Sequence, residues 1–446
     1  MRKIKIFLAS SEELKEERKE LGDFVGHLNH ALERIGVSVQ LEKWEYLDSS
    51  MGEQHKQEDY NDVLRECEMC LVMYWTKFGL YTKTELDTAY NELKAGNNPK
   101  KLYVYFKEIE GDEKITDELK AFRDSFPTEY GHFENRFRNI DTLKSQFLLQ
   151  FIEYQGKSLA ASSLIEIRDG KVLLEGKTYV DLTNVPFVGN NEDYNVLVKD
   201  ISDLKETLKY LPKDLPIYAE QATKLRDKEE QKEKMESSLW NTALDITRLS
   251  NQKCSERLQR AIELFNNGDN RGANAILIEE EICRDAEHNR NLIRLGEEGR
   301  EGLKINIEEL KLKIQTLENE MGEGWREKIV DLYDKVMDYT KDAFGENTEE
   351  YINALLNAGD MFSKLGRYSE ALTLAESALK LSLSLLGENH QLTAKSYNNV
   401  GLAYGNLGNY DKALEYLLKA LKIREELLGE KHPDTALSYN NMGVTY

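Results

Sequence analysis

The chain has 446 residues, 40% apolar and 32% charged, with a formal charge of −21. That length supports roughly two to four domains, and that charge, with no basic tract against it, excludes nucleic-acid binding as the main role. No run approaches the about 18 apolar residues of a membrane span, and Met1-Arg-Lys-Ile-Lys5 leads straight into strand-like sequence, so neither a membrane helix nor a secretory leader is expected. The 4 cysteines point to free thiols in a reducing compartment, with the cytoplasm as the expected location.

Ile4-Lys-Ile-Phe-Leu-Ala9 reads as a buried strand, and Ser10 or Ser11 can cap the acidic helix start that follows. Leu14, Leu21, Phe24, Val25, Leu28, Leu32 and Ile35 recur at helical spacing before Gly36 closes the helix. His27 and His30 share a face of it, but no third ligand accompanies them, and they read as surface residues. Val37–Trp44 is a second strand, followed by a polar loop through Gln57 and a short helix to about Glu66. Met69–Trp75 is a third strand and Leu102–Phe106 a fourth, with a helix over Thr84–Ala95 between them. Cys67 and Cys70 form a lone CxxC without a second pair, so buried thiols are expected rather than zinc or redox chemistry. Gly131–Phe137 is a candidate fifth strand before a helix over Asp141–Tyr154. Strands alternating with helices predict a parallel sheet covered on both faces, with ligands beyond the carboxyl ends of the strands.

From Leu164 the apolar period becomes two, and Ile165–Val180 reads as a small hairpin around Asp169-Gly170. Pro186, Pro212 and Pro216 punctuate a connector, and Ile217 to about Phe265 is polar and helical, its charge run Lys224–Lys234 forming a solvated face. Gly268-Asp-Asn-Arg-Gly-Ala273 repeats the turn of Gly408–Ala413, suggesting an isolated helix pair. The last third then repeats itself every 42 residues: Gly366 and Gly408 fall on one ruler, as do Gly345, Gly387 and Gly429. Such a period means stacked two-helix units. Gly324 lies one period before Gly366 and marks a degenerate copy. Expected boundaries are therefore 1–155 for an α/β domain, 156–216 for the hairpin and connector, 217–300 for a helical connector with a repeat-like pair, and 301–446 for the repeats.

No GxGxxG, GxxxxGK[ST], HExxH or GxSxG occurs. What remains is a loop and helix start, Trp75-Thr-Lys-Phe-Gly-Leu-Tyr-Thr-Lys-Thr-Glu85, which turns on Gly79 and aims Glu85 back at the strand ends. Residues 1–150 resemble a TIR domain of the bacterial TIR-like branch, through Ser10-Ser-Glu-Glu-Leu-Lys-Glu-Glu-Arg18 and the aromatic-x-x-x-Glu element Tyr81–Glu85. In that element Tyr81 stands where many members have Trp. The resemblance implies a flavodoxin-like sheet and, in enzymatic members, cleavage of the nicotinamide–ribose bond of NAD⁺ by the glutamate. Glu85 is then the catalytic carboxylate, and NAD⁺ is a substrate with no cofactor required. Breaking an N-glycosidic bond develops oxocarbenium character that one carboxylate against the ribose stabilises. Trp44, Phe78 and Tyr81 can hold the rings, and Ser10 and Ser11 offer hydroxyl and N–H groups to a phosphate.

The repeats resemble the tetratricopeptide family in its 42-residue form, seen in kinesin light chains and bacterial sensors. Ala371, Ala378, Ala413 and Ala420, with Gly359, Gly401 and Gly443, fall where helices of a pair cross closely, and His390 and His432 fall in turns. Because the last copy stops one helix in, a longer natural chain is expected. The resemblance implies a protein or peptide partner on the concave face, self-association through the TIR-like domain, and a role in bacterial defence or signalling. The expected function is an NAD⁺ hydrolase gated by oligomerisation and sensing. The alternatives are a non-enzymatic TIR and tetratricopeptide adaptor, and more distantly a nucleoside-processing enzyme.

Overall fold

The structure, a computed structural model, describes residues 2–43, 61–79, 82–109, 111, 113–130, 135–156, 165–249, 254–295, 298–320, 324–430 and 432–445. Two compact units emerge: Met1–Tyr154 with Leu164–Asn190 and Ser250–Gln252, and Gln155–Ser163 with Asn191–Leu249 and Lys253–Tyr446.

The first unit is built on five parallel strands: β1 (Arg2–Ser10), β2 (Val37–Lys43), β3 (Met69–Tyr74), β4 (Lys101–Lys107) and β5 (Asn135–Phe137), in the order β2-β1-β3-β4-β5. Every residue of β3 is buried, which explains why its sequence reads as an unbroken apolar run rather than an alternation. Among the described residues, helices α1 (Lys15–Leu32), α2 (Thr82–Lys94), α3 (Asp117–Tyr130) and α4 (Ile140–Gln155) follow strands, and residues 61–66 are helical before β3, as the expected short helix to about Glu66 requires. Phe7, Cys70, Val72, Tyr74, Val104 and Phe106 point to one face, where they pack on Leu86 and Ala89 of α2 and on Leu119, Phe122 and Phe126 of α3. On the opposite face α1 and α4 meet through Phe24 and Phe147, whose rings stand edge to face at 6.2 Å. The order reverses between β1 and β3, and a crevice at that point, beyond the carboxyl ends of the strands, is where such sheets bind ligands. Cys67 and Cys70 are buried and free, and burial pushes the Cys67 thiol up to about 12, so neither is poised for thiolate chemistry.

The expected hairpin is a three-stranded antiparallel sheet, β6 (Ile165–Arg168), β7 (Lys171–Leu174) and β8 (Lys177–Asp181). Asp169 and Gly170 have φ of 53° and 70°, the left-handed pair the sequence announced. The second turn repeats that conformation at Glu175 and Gly176, where φ is 52° and 78°, and a Glu in that position gave no warning. This small sheet packs within the first unit rather than standing as a connector. Tyr179 lies against Phe24 at 6.3 Å, Arg34 pairs with Glu175 at 2.8 Å, and the Asp141 carboxylate accepts from Asp181 N at 3.1 Å and Asn184 Nδ2 at 2.8 Å.

The second unit is helical. A four-residue α5 (Pro186–Gly189) closes the first, and α6 (Glu192–Tyr210), capped by Asn191, packs on the 34-residue α7 (Pro216–Leu249). The helix expected over 217–265 is divided: α7 ends at Leu249 and α8 (Glu256–Asn266) starts afresh on its Ser255 cap. Gly268, at φ 89°, turns the chain into α9 (Asn270–Ile276), shorter than its repeat-like turn suggested. Then come α10 (Glu279–Arg294), α11 (Arg300–Glu320) and α12 (Trp325–Phe344), followed by the pairs α13 (Glu349–Lys364) with α14 (Tyr368–Leu386) and α15 (Gln391–Asn406) with α16 (Tyr410–Leu428), and by α17 (Pro433–Thr445). Gly324, Gly366 and Gly408 have φ of 74°, 77° and 78°, so the ruler marks positions where only left-handed backbone makes the turn. Ala371, Ala378, Ala413 and Ala420 are each at most 2% exposed, as their small side chains require at close crossings. His390 and His432 cap α15 and α17: each Nδ1 accepts a backbone N–H at 3.2 Å, from Leu392 and Asp434 respectively. No helix among the described residues is long and apolar enough to cross a membrane.

Candidate active site

Glu85 occupies the first turn of α2, on the stripe Thr82, Glu85, Leu86 and Ala89 that faces the sheet. An i, i+3, i+4, i+7 stripe is where apolar residues belong, so a carboxylate there is costly and conspicuous. Glu85 is 5% exposed, and no hydrogen bond or ion pair reaches it among the described residues. Burial pushes its carboxyl up to about 7. Beneath it lie Cys70 and Tyr74 of β3, each held protonated first by burial and then by the Glu85 charge.

Three contacts fix the approach to α2. The Glu13 carboxylate accepts from Thr76 N at 2.9 Å, Thr76 Oγ1 at 2.6 Å, Lys77 N at 3.4 Å and Ser11 Oγ at 3.1 Å, joining the exit of β3 to that of β1. Gly79 passes so close to Ser11 that an added Cβ would stand 3.0 Å from its Cα and 2.3 Å from Thr82 Oγ1. Tyr74 Oη donates to Thr82 O at 3.2 Å. Ser11, Gly79, Thr82 and Glu85 thus gather at the β1/β3 reversal.

Ser10 and Ser11 are buried, 7% and 2% exposed. Their principal partner is Arg18, itself 1% exposed, whose Nη1 donates to Ser10 Oγ at 2.5 Å and Ser11 O at 2.6 Å. Ser10 is thereby tied into a guanidinium staple, and Ser11 spends its hydroxyl on Glu13. Phe78 is half-buried in an aromatic cluster, 5.4 Å from Tyr74 and 5.3 Å from Phe122. Its ring therefore packs as core, because Phe122 arrives from a helix remote in sequence. Trp44 and Tyr81 lie outside the described residues.

Arg18 and Glu13 stand in the Ser10–Arg18 motif and Trp75 opens the loop before α2, yet the sequence assigned none of them a role at the site. Lys107 Nζ sits 3.6 Å over the Trp75 ring while pairing with Glu17 at 2.8 Å. The only signal for Arg18 is its place among Leu14, Leu21 and Val25 on the inward stripe of the α1 region. No cluster of three metal-ligating side chains occurs among the described residues.

The tetratricopeptide repeat family matches residues 350–421 and again 392–446. No curated protein matches the chain. Among solved structures, BtubC (BKLC) from P. vanneervenii is 22% identical over 37% of this chain and 63% of that one, with a TM-score of 0.31. A kinesin-light-chain-type protein of nearly identical TPR-like repeats from Podosopora anserina is 17% identical over 45% and 86%, with a TM-score of 0.33. A Signal Transduction ATPase with Numerous Domains with a tetratricopeptide repeat sensor, from Pyrococcus horikoshii, is 13% identical over 100% and 84%, with a TM-score of 0.27. The C-terminal helix pairs are tetratricopeptide repeats, a repeat type that suggests protein partners.

Proposed function

We propose that the first unit is a TIR-type NAD⁺ hydrolase, switched on by self-association, and that the repeats read the trigger. The observation that carries the reading is Glu85: a buried carboxyl without a protein partner among the described residues, at the strand-order reversal of a parallel sheet. A group left in that condition is supplied with its hydrogen bonds by a ligand, and ribose hydroxyls are suitable donors. NAD⁺ also brings a positive charge that draws the Glu85 proton off. As the C1′–N bond breaks, its electron pair leaves with nicotinamide, the ribose becomes oxocarbenium-like, and the Glu85 carboxylate faces that charge. Water then adds to C1′ and releases a proton, giving ADP-ribose.

The test is nicotinamide release by the full chain at rising concentration, with Glu85→Gln beside it. Glu85→Gln is expected to abolish release, and wild-type specific activity to climb faster than proportionally, or on forced dimerisation through the C-terminus. Wild-type turnover by the Gln variant removes Glu85 from the chemistry. No release even in forced dimers leaves the adaptor reading, in which the unit only pairs with like units and the repeats recruit. Free base from plain nucleosides would assign the sheet to a nucleoside-processing enzyme.

A further inference from the structure

The pair α6 and α7 forms a hairpin whose outer part buries nothing. From α6 into its cap, Tyr194, Leu197, Ile201, Leu204, Leu208 and Leu211 recur at alternating spacings of three and four. On α7, Tyr218, Ala222, Leu225, Glu229, Lys232 and Glu236 do the same. That is the seam of a coiled coil. At its inner end the seam is closed: Tyr194, Leu197, Ile201 and Glu236 are buried, and Tyr194 Oη donates to Glu236 at 2.8 Å. From Ser202 round the turn to Lys234, by contrast, no residue is buried, and Leu204, Leu208, Tyr218 and Leu225 are only half-covered.

The turn itself is built rather than loose. Pro212 and Pro216 fix φ on either side, Leu215 N donates to Pro212 O at 3.3 Å, and Tyr218 N donates to Leu215 O at 2.9 Å. It holds Leu215 and Ile217 43% and 48% exposed. Tyr210, at the end of α6, is 74% exposed with Lys209 Nζ 5.6 Å from its ring centroid. Apolar side chains set out on an ordered turn mark a contact surface. Charge narrows what meets it. The chain carries −21, so its surface on the whole repels a second copy. Residues 202–234 depart from that, with 8 acidic and 8 basic side chains. Many are already paired within the hairpin: Lys205 with Glu229 at 2.7 Å, Lys224 with Glu220 at 2.8 Å and Lys234 with Glu230 at 2.6 Å. A strongly charged partner finds no net charge to pair with there, whereas the same hairpin on another copy meets it without repulsion. Two half-covered seams of this kind close each other, as in a four-helix bundle.

We propose that two copies of the chain pair through these hairpins about a two-fold axis near the tip, where Tyr210, Leu215 and Ile217 of each copy form the contact. The proposal rests on the self-association in the functional reading and names the surface that performs it. The experiment is sedimentation velocity on the full chain from submicromolar to high micromolar concentration, at low and raised salt. Beside it run the double variant Leu215→Lys with Ile217→Lys, and Ile217→Cys treated with a short bis-maleimide. The wild type is expected to pass from monomer to dimer, and raised salt to favour the dimer by screening the repulsion of the acidic bodies. The lysine variant should need about tenfold higher concentration or more, with an unchanged circular dichroism spectrum because both positions are exposed. Ile217→Cys should cross-link copy to copy above the wild-type background set by Cys254 and Cys283. A chain that stays monomeric throughout refutes self-association, and the switch in the functional reading with it. A dimer that survives both lysines, that salt weakens, or that fails to cross-link through position 217 leaves self-association standing and refutes this surface. Should the lysine variant misfold, the cross-link decides alone.

Discussion

Replacing Glu85 by Gln is expected to stabilise the first unit while silencing it, and the size of the effect follows from burial. The carboxyl moves from an ordinary value of 4.5 to about 7 in the folded protein. At about 1.36 kcal/mol per pKa unit, ionising it inside the fold costs about 3 kcal/mol. The sign is that of a raised acid. Below pH 4.5 both folded and unfolded chains carry the proton and nothing is lost. Between 4.5 and about 7 the unfolded chain sheds it first, so stability falls as pH rises, and above about 7 the full penalty is present. Gln, always neutral, escapes the penalty while keeping the shape. Because the chain holds two units, global denaturation mixes transitions, and hydrogen exchange resolved to peptides from β3 and α2 is the suitable assay. At pH 8 those amides are expected to exchange on the order of a hundredfold more slowly in Glu85→Gln than in the wild type, the intrinsic rates cancelling at equal pH. At pH 4.5 the two proteins should match within a few-fold. Equal protection at both pH values would mean that Glu85 ionises at no cost, and the reasoning from burial would fail.

Other expectations rest on single contacts. If Glu85 acts ionised, kcat/KM for NAD⁺ rises about tenfold per pH unit below about 7 and levels off above it; a flat profile from pH 5.5 to 8 refutes that role. Arg18→Met strips the staple from Ser10 Oγ and Ser11 O and is expected to cost about 3 kcal/mol, read as faster cleavage of the first unit in limited proteolysis; an unchanged rate contradicts the staple. Gly359→Ala and Gly401→Ala should differ in sign, although the ruler makes them equivalent. An added Cβ at Gly359 meets only ordinary contacts at 3.5 Å and 3.7 Å, so Ala gains about 1 kcal/mol of helix propensity. At Gly401 it would stand 2.8 Å from Leu417 Cγ and 3.1 Å from Ala413 O, costing about 2 kcal/mol. Hydrogen exchange along α13 and α15 measures both, and a shared sign would overturn the packing argument.

The elements legible in the sequence are those written in local pattern. The alternation of strands and helices, the Asp169-Gly170 turn and the 42-residue ruler need only neighbours to be read. Glu85 stood out through the aromatic-x-x-x-Glu element at a helix start, whereas its place on the stripe that faces the sheet emerged only with the fold. Long-range pairing was not legible. Nothing near Tyr179 announces Phe24, and nothing near Phe78 announces Phe122, so a supposed connector sheet became part of the first unit and a supposed stacking ring became core. Arg18 was read only as the end of a motif, because a buried guanidinium looks, in one dimension, like any charge on an acidic helix. Gly443 shares the ruler with Gly401, yet no heavy atom outside its own helix lies within 4 Å of where its Cβ would be.

The repeated left-handed glycines bear on how such an array changes over generations. Gly366 and Gly408 end their turns at nearly the same φ, and Ala371 and Ala413 follow each at the same offset. Unequal recombination between the two turns would remove residues 367–408 and join α13 directly to α16, with every buried small residue still in phase. Asn441 would then meet Asp360, the partner that Asn399 now holds at 2.6 Å. The array can therefore be shortened or lengthened by whole units without inventing a new interface, and the span of surface it presents is open to heritable adjustment in steps of one helix pair.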